Sequence, residues 1–91
     1  MKYKIEQSAR FKRELRTATK RGYDIEKLEA VVDLLANGVT LPLKNRDHNL
    51  EGNYEGYREC HIAPDWLLIY RYEENRVVLY LFRNGTHSDL F

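Results

Sequence analysis

One cysteine, two prolines and one tryptophan stand in the 91 residues, and these scarcities exclude several classes of protein. Cys60 alone closes no internal disulfide, so this is not a secreted domain stapled by bridges. No apolar run approaches the ~20 residues of a membrane-spanning helix. The opening MKYKIEQSAR has no apolar stretch of a secretory signal, and a cytoplasmic protein without membrane association is expected. A glycine-rich phosphate loop, a nucleophile elbow, internal repeats and low-complexity tracts are all missing. Charge of one sign is missing too, since the net charge is only +1.

What is present suits one globular domain spanning residues 1–91, with 43% hydrophobic residues and seven tyrosines. A chain of this length buries somewhat over ~60% of its extended surface, enough for one modest core. The near-neutral total hides an asymmetry. Residues 1–46 hold eleven Lys/Arg against six Asp/Glu, whereas residues 47–91 hold four against eight. Much of the basic excess falls in KYKIEQSARFKRELRTATKR, including Lys12, Arg13 and Arg16. Such a stripe is either the solvated face of a helix or a means of drawing in RNA phosphates.

Periodicity orders the chain. KYKIE alternates as a strand, and Ser8 caps a helix to about residue 20 whose stripe is Phe11, Leu15 and Ala18. Gly22 stops it. Asp24 caps a second helix with Ile25, Leu28, Val31, Val32 and Leu35 on one face, ended by Gly38. Residues 39–53 read as loop. YEGYRECHI, WLLIYRY and RVVLYLFR then read as strands joined by the turns APD and EEN, and short turns make neighbours antiparallel. The expected fold is α+β: a small twisted antiparallel sheet with two N-terminal helices packed on one face.

All three histidines follow residue 46. His48 lies in the loop before the meander, His61 ends its first strand, and His87 follows its third. Asp65 and Trp66 open the second strand and Arg83 closes the third. In an antiparallel meander the finish of strand three returns to the start of strand two. His87 therefore converges on the turn that bears His61 and Asp65.

Imidazoles with a carboxylate and an arginine suit phosphodiester transfer. Histidine takes or gives a proton near neutrality, and a guanidinium meets the charge developing on phosphate. Asp65 would orient an imidazole or act as base. Trp66, Tyr57, Tyr70 or Phe91 would stack a splayed base, although Trp66 and the alternating tyrosines, Tyr70 and Tyr80 above all, are better read as core and sheet packing. The histidines and Cys60 lack the spacing of zinc ligands, so no metal or other cofactor is expected. Cys60 and His61 are adjacent strand residues on opposite faces, which disfavours a nucleophilic pair.

The runs DHNLEGNYEGYRECHIAPDWLLIYRY and FRNGTHSDLF resemble the YafQ branch of the RelE/ParE toxin superfamily. Its pattern is roughly D-H-x-L-x-G, G-Y-R-x-x-H-x-x-P-D-W-x-L-I-Y and R-x-G-T-H-x-x-L-F. The motifs cover about half the chain, and the helical half fits in length and pattern. The resemblance implies the toxin of a type II toxin–antitoxin pair, a metal-free endoribonuclease that cuts messenger RNA in the ribosomal decoding site. Its implied partner is a dimeric antitoxin in a heterotetrameric complex. Carried over by motif position, the active residues are His48, His61, Asp65, Arg83 and His87, with Trp66 and Phe91 in support and His87 as general acid. Lys12, Arg13 and Arg16 would face ribosomal RNA. The rival readings are a ParE-like toxin that inhibits DNA gyrase by binding alone, which has no evident use for the histidine set, and a non-toxic RNA-binding module, in which His48 and His87 could be replaced by Gln with little loss.

Overall fold

Capping and alternation place the elements. The computed structural model describes residues 2–91, with β1 at Lys4–Gln7, α1 at Ala9–Lys20 and α2 at Ile25–Ala36. These are followed by β2 (His48–Asn49), β3 (Arg58–Ala63), β4 (Trp66–Glu73), β5 (Val78–Gly85) and α3 (His87–Leu90). The Ser8 hydroxyl accepts from the Phe11 N–H and the Asp24 carboxylate from the Glu26 N–H, so each long helix has a first-turn donor satisfied. Among the described residues no helix is long and apolar enough to cross a membrane.

The sheet runs β1-β5-β4-β3-β2, with antiparallel pairs except at one edge. There β1 lies parallel to β5, Lys4 opposite Val78 and Gln7 opposite Leu81, so the sheet is mixed rather than wholly antiparallel. No short turn joins these two strands. The helical hairpin and the meander separate them, which removes the constraint that forces neighbours to run antiparallel. The loop before the meander also supplies a two-residue strand, β2, which sets His48 opposite Glu59.

The helical stripes and one sheet face form the main core, with Phe11, Leu28, Leu35, Leu68, Tyr70 and Leu81 among its members. A smaller cluster of Leu67, Ile69 and Leu90 lies apart from it, where α3 packs on the sheet. Between these layers β5 carries a bulge: Ile69 pairs with Arg83 and Tyr70 with Leu81, leaving Phe82 unpaired. Strict alternation from Leu79 and Leu81 would drive Arg83 into the helix-facing core. The extra residue instead sends Asn84 there. The Asn84 side chain accepts from Trp66 Nε1 at 3.1 Å and donates to the Phe11 carbonyl at 3.3 Å.

Candidate active site

A capping box at Thr86 turns the chain out of β5 into α3. Thr86 Oγ1 accepts from the Asp89 N–H at 3.1 Å, and the Asp89 carboxylate accepts from the Thr86 N–H at 2.9 Å. Gly85 permits this return, because a Cβ there would lie 2.8 Å from Asp89 Cβ. The turn delivers His87 to the β3–β4 connection. His87 Nδ1 donates to Asp65 Oδ1 at 2.7 Å, and the His87 backbone N–H donates to the same oxygen at 3.0 Å. These two donors hold the Asp65 carboxyl below its ordinary range. A carboxylate only accepts, so Nδ1 carries the proton and Nε2 is the nitrogen left for chemistry. The His61 ring stands edge-on to His87, with centroids 5.7 Å apart.

A second carboxylate escaped the sequence reading. Glu59 is 5% exposed, and its Oε1 lies 3.6 Å from His48 Nε2 and 3.9 Å from His61 Nε2. Its Oε2 is buried without a hydrogen-bond partner. The signal was the spacing: Glu59 and His61 are two apart on β3 and therefore share a face, and β2 places His48 directly opposite Glu59. On its other side His48 Nδ1 donates to the Arg46 carbonyl at 2.6 Å.

His48, His61, Asp65 and His87 are thus linked through these contacts, whereas Arg83 and Trp66 are engaged elsewhere in the fold. Arg83 is not a free cation awaiting phosphate. Its guanidinium is buried and forms an ion pair with Glu14 of α1 at 2.5 Å, with further bonds to the Tyr54 hydroxyl and the Asp89 carbonyl. The bulge keeps it out of the helix core, but Glu14 reaches it across the edge of β5. Trp66 is 3% exposed and packs against Tyr23, so it offers no face to a base. Phe91 is 64% exposed beside Tyr54, the disposition a stacking residue needs.

The tyrosines divide. Tyr70 is core, with its hydroxyl donating to Asp47 at 2.6 Å. Tyr80, expected in the core, is only half-buried and stacks with Phe82, while Tyr57 stacks on Phe82 and takes Arg71 over its ring. Lys12, Arg13 and Arg16 are exposed, and among the described residues none pairs with a carboxylate. Among those same residues no group of three or more His, Cys, Asp or Glu side chains is arranged to hold a metal ion.

Comparisons with known proteins agree with this architecture. The family model described as the bacterial toxin of type II toxin–antitoxin systems, YafQ, matches residues 3–91. The mRNA interferase toxin YafQ of Escherichia coli K12 is 40% identical over 88 residues, covering 96% of this chain and 94% of that protein. The crystal structure of YafQ from E. coli BL21(DE3) superposes with a TM-score of 0.91 at 38% identity and covers 98% of both chains. The toxin in the crystal structure of the E. coli DinJ–YafQ toxin–antitoxin complex gives a TM-score of 0.88 at 38% identity, covering 100% of this chain and 99% of that one.

Proposed function

The chain belongs to the YafQ family of bacterial type II toxin–antitoxin toxins, and on that premise we propose that it is an endoribonuclease that cleaves messenger RNA on the ribosome without a metal. The observation that carries the mechanism is the hydrogen-bonded Asp65–His87 couple set against His61. RNA cleavage through its own 2′-hydroxyl needs a base for that proton and an acid for the departing 5′-oxygen. His87 is the acid. Asp65 fixes its tautomer and leaves Nε2 to protonate the leaving oxygen. His61 is the base, and the buried Glu59 carboxylate stabilises the imidazolium that forms when it takes the proton. His48, on the other side of Glu59, places a second imidazole at the phosphate. Phe91 stacks a base, and Lys12, Arg13 and Arg16 on α1 face ribosomal RNA. A cognate antitoxin binds the chain and holds it inactive; the relative YafQ is found in a toxin–antitoxin complex with DinJ.

Induced expression of wild type beside His87→Gln, with primer extension on a reporter messenger RNA, tests this reading. Growth arrest with new 5′ ends in translated regions, both lost in the variant at equal protein level, is expected; loss of the acid alone lowers the rate ~10²–10⁴-fold. Arrest that persists in His87→Gln, or arrest without new ends, moves the gyrase-type binding toxin to first place.

A further inference from the structure

A groove of about 670 Å³ lies between α2, the segment at residues 42–46 and the end of β3. Its cationic lining is Lys27, Lys44 and Arg46, and no Asp or Glu lines it. That is uneven for a chain whose 15 basic residues nearly balance 14 acidic ones. All three cations are exposed, and among the described residues none has a carboxylate within ion-pair distance. A smaller depression of about 250 Å³ adjoins it, sharing Lys27 and Ala63. His61 lines the larger depression and Asp65 the smaller, so the pair leads from the active residues around the β3–β4 turn.

The cationic segment is also tied to the site. The Asn45 side-chain amide donates to the His61 carbonyl at 2.7 Å, and the Arg46 carbonyl accepts from His48 Nδ1 at 2.6 Å. Arg46 itself sits at φ 49°, a left-handed backbone that a side chain of this size adopts at a cost. Two histidines of the site thus share backbone contacts with the loop that presents Lys44 and Arg46.

We propose that this groove binds the sugar–phosphate backbone of single-stranded RNA on one side of the scissile bond, with Lys27, Lys44 and Arg46 each meeting a phosphate. The inference rests on the ribonuclease reading and extends it from the reacting bond to the path of the strand. Two ammonium groups and a guanidinium on flexible stems, over a largely apolar floor where the Asn45 amide is turned to the His61 carbonyl, suit a contact that positions RNA without reading its sequence.

The test uses the purified chain and a fluorescent single-stranded 2′-O-methyl RNA of about twelve nucleotides, which lacks the attacking hydroxyl. Anisotropy titrations across a salt series compare wild type with Lys27→Gln/Lys44→Gln/Arg46→Gln. Because each phosphate contact on a single strand contributes about 0.7 to the slope of log affinity against log salt, the triple variant should lose about 2 from that slope. Its affinity should fall about tenfold or more at low salt. All three side chains are exposed, so an unchanged melting curve followed by Trp66 fluorescence shows that the fold survives.

An unchanged slope overturns the proposal, as does wild type that shows no salt-dependent binding. So does a variant that binds RNA normally but loses its antitoxin, which makes the groove a protein-docking surface. Failure of the ribonuclease reading looks different: wild type then binds the RNA with the expected slope yet leaves an unmodified strand uncut, on and off the ribosome.

Discussion

Two carboxylates serve the candidate site from opposite sides, and they are built in opposite ways. Asp65 is exposed and accepts two hydrogen bonds from His87, both on Oδ1. Glu59 is buried and under-engaged, with one oxygen unpartnered and the other 3.6 Å and 3.9 Å from two imidazoles. A carboxylate already bonded in the resting protein orients its histidine. One buried in a low-dielectric strand face with loose contacts interacts most strongly when positive charge arrives, because little water is present to screen it. In the proposed mechanism this difference puts the acid on the C-terminal side and the base on the β2–β3 side.

The largest expected effect attacks the tight member. Asp65→Asn offers the His87 Nδ1 position an amide that can donate, which disturbs the tautomer leaving Nε2 available. A loss of cleavage rate on the order of 10³-fold is expected, somewhat below the ~10⁴ of the corresponding change in a buried triad because Asp65 faces water. Glu59→Gln keeps the shape and removes the charge, and about 10²-fold is expected. Single-turnover cleavage on programmed ribosomes measures both. Equal losses erase the distinction between orienting and charge-stabilising carboxylates, and an undiminished rate in Glu59→Gln leaves the buried oxygen without a role.

The same contrast explains what could be read in advance. Asp65 and His87 met because antiparallel connectivity alone returns the end of β5 to the start of β4. The helices were legible from Ser8, Asp24 and their apolar stripes. Glu59 was hidden in plain alternation: a charged residue in a strand reads as solvated, and only β2, too short to announce itself, covers it and brings His48 opposite. The pairing of Arg83 was hidden for a related reason. Its partner Glu14 lies 69 residues away on α1, and the bulge that decides which way Arg83 points leaves no composition signal. Tertiary contacts of that separation are invisible to periodicity.

Arg83 therefore has a structural task in its pair with Glu14. Its side chain is 8% exposed and that of Glu14 19%, so Arg83→Met leaves a carboxylate partly buried without its cation. A destabilisation of about 2–3 kcal/mol is expected in urea unfolding, short of the ~3–5 kcal/mol for a fully buried pair because Glu14 retains some water. Combining it with Glu14→Gln should restore part of the loss. Full stability in Arg83→Met, with cleavage abolished, would return Arg83 to the phosphate.

The smallest effect concerns the other end of α3. Asp89 accepts from Arg21 and from the Thr86 N–H, which together lower its carboxyl to about 2. An ordinary aspartate titrates near ~3.9 in the unfolded chain. The native value is the lower one, so the contribution is fully present above about pH 4 and is lost as the pH falls toward about 2. Asp65, lowered by His87, acts in the same direction. Since both carboxylates tether the helix that carries His87, acid should loosen α3 before it unfolds the sheet. The Leu90 methyl resonances report this, because Leu90 packs with Leu67 and Ile69. They should move between about pH 4 and about pH 2, and Asp89→Asn should abolish much of that movement while Thr86 keeps an acceptor at position 89. Methyl shifts that follow only the global transition would mean that α3 is held by Leu90 and Tyr54, with the ion pair as a bystander.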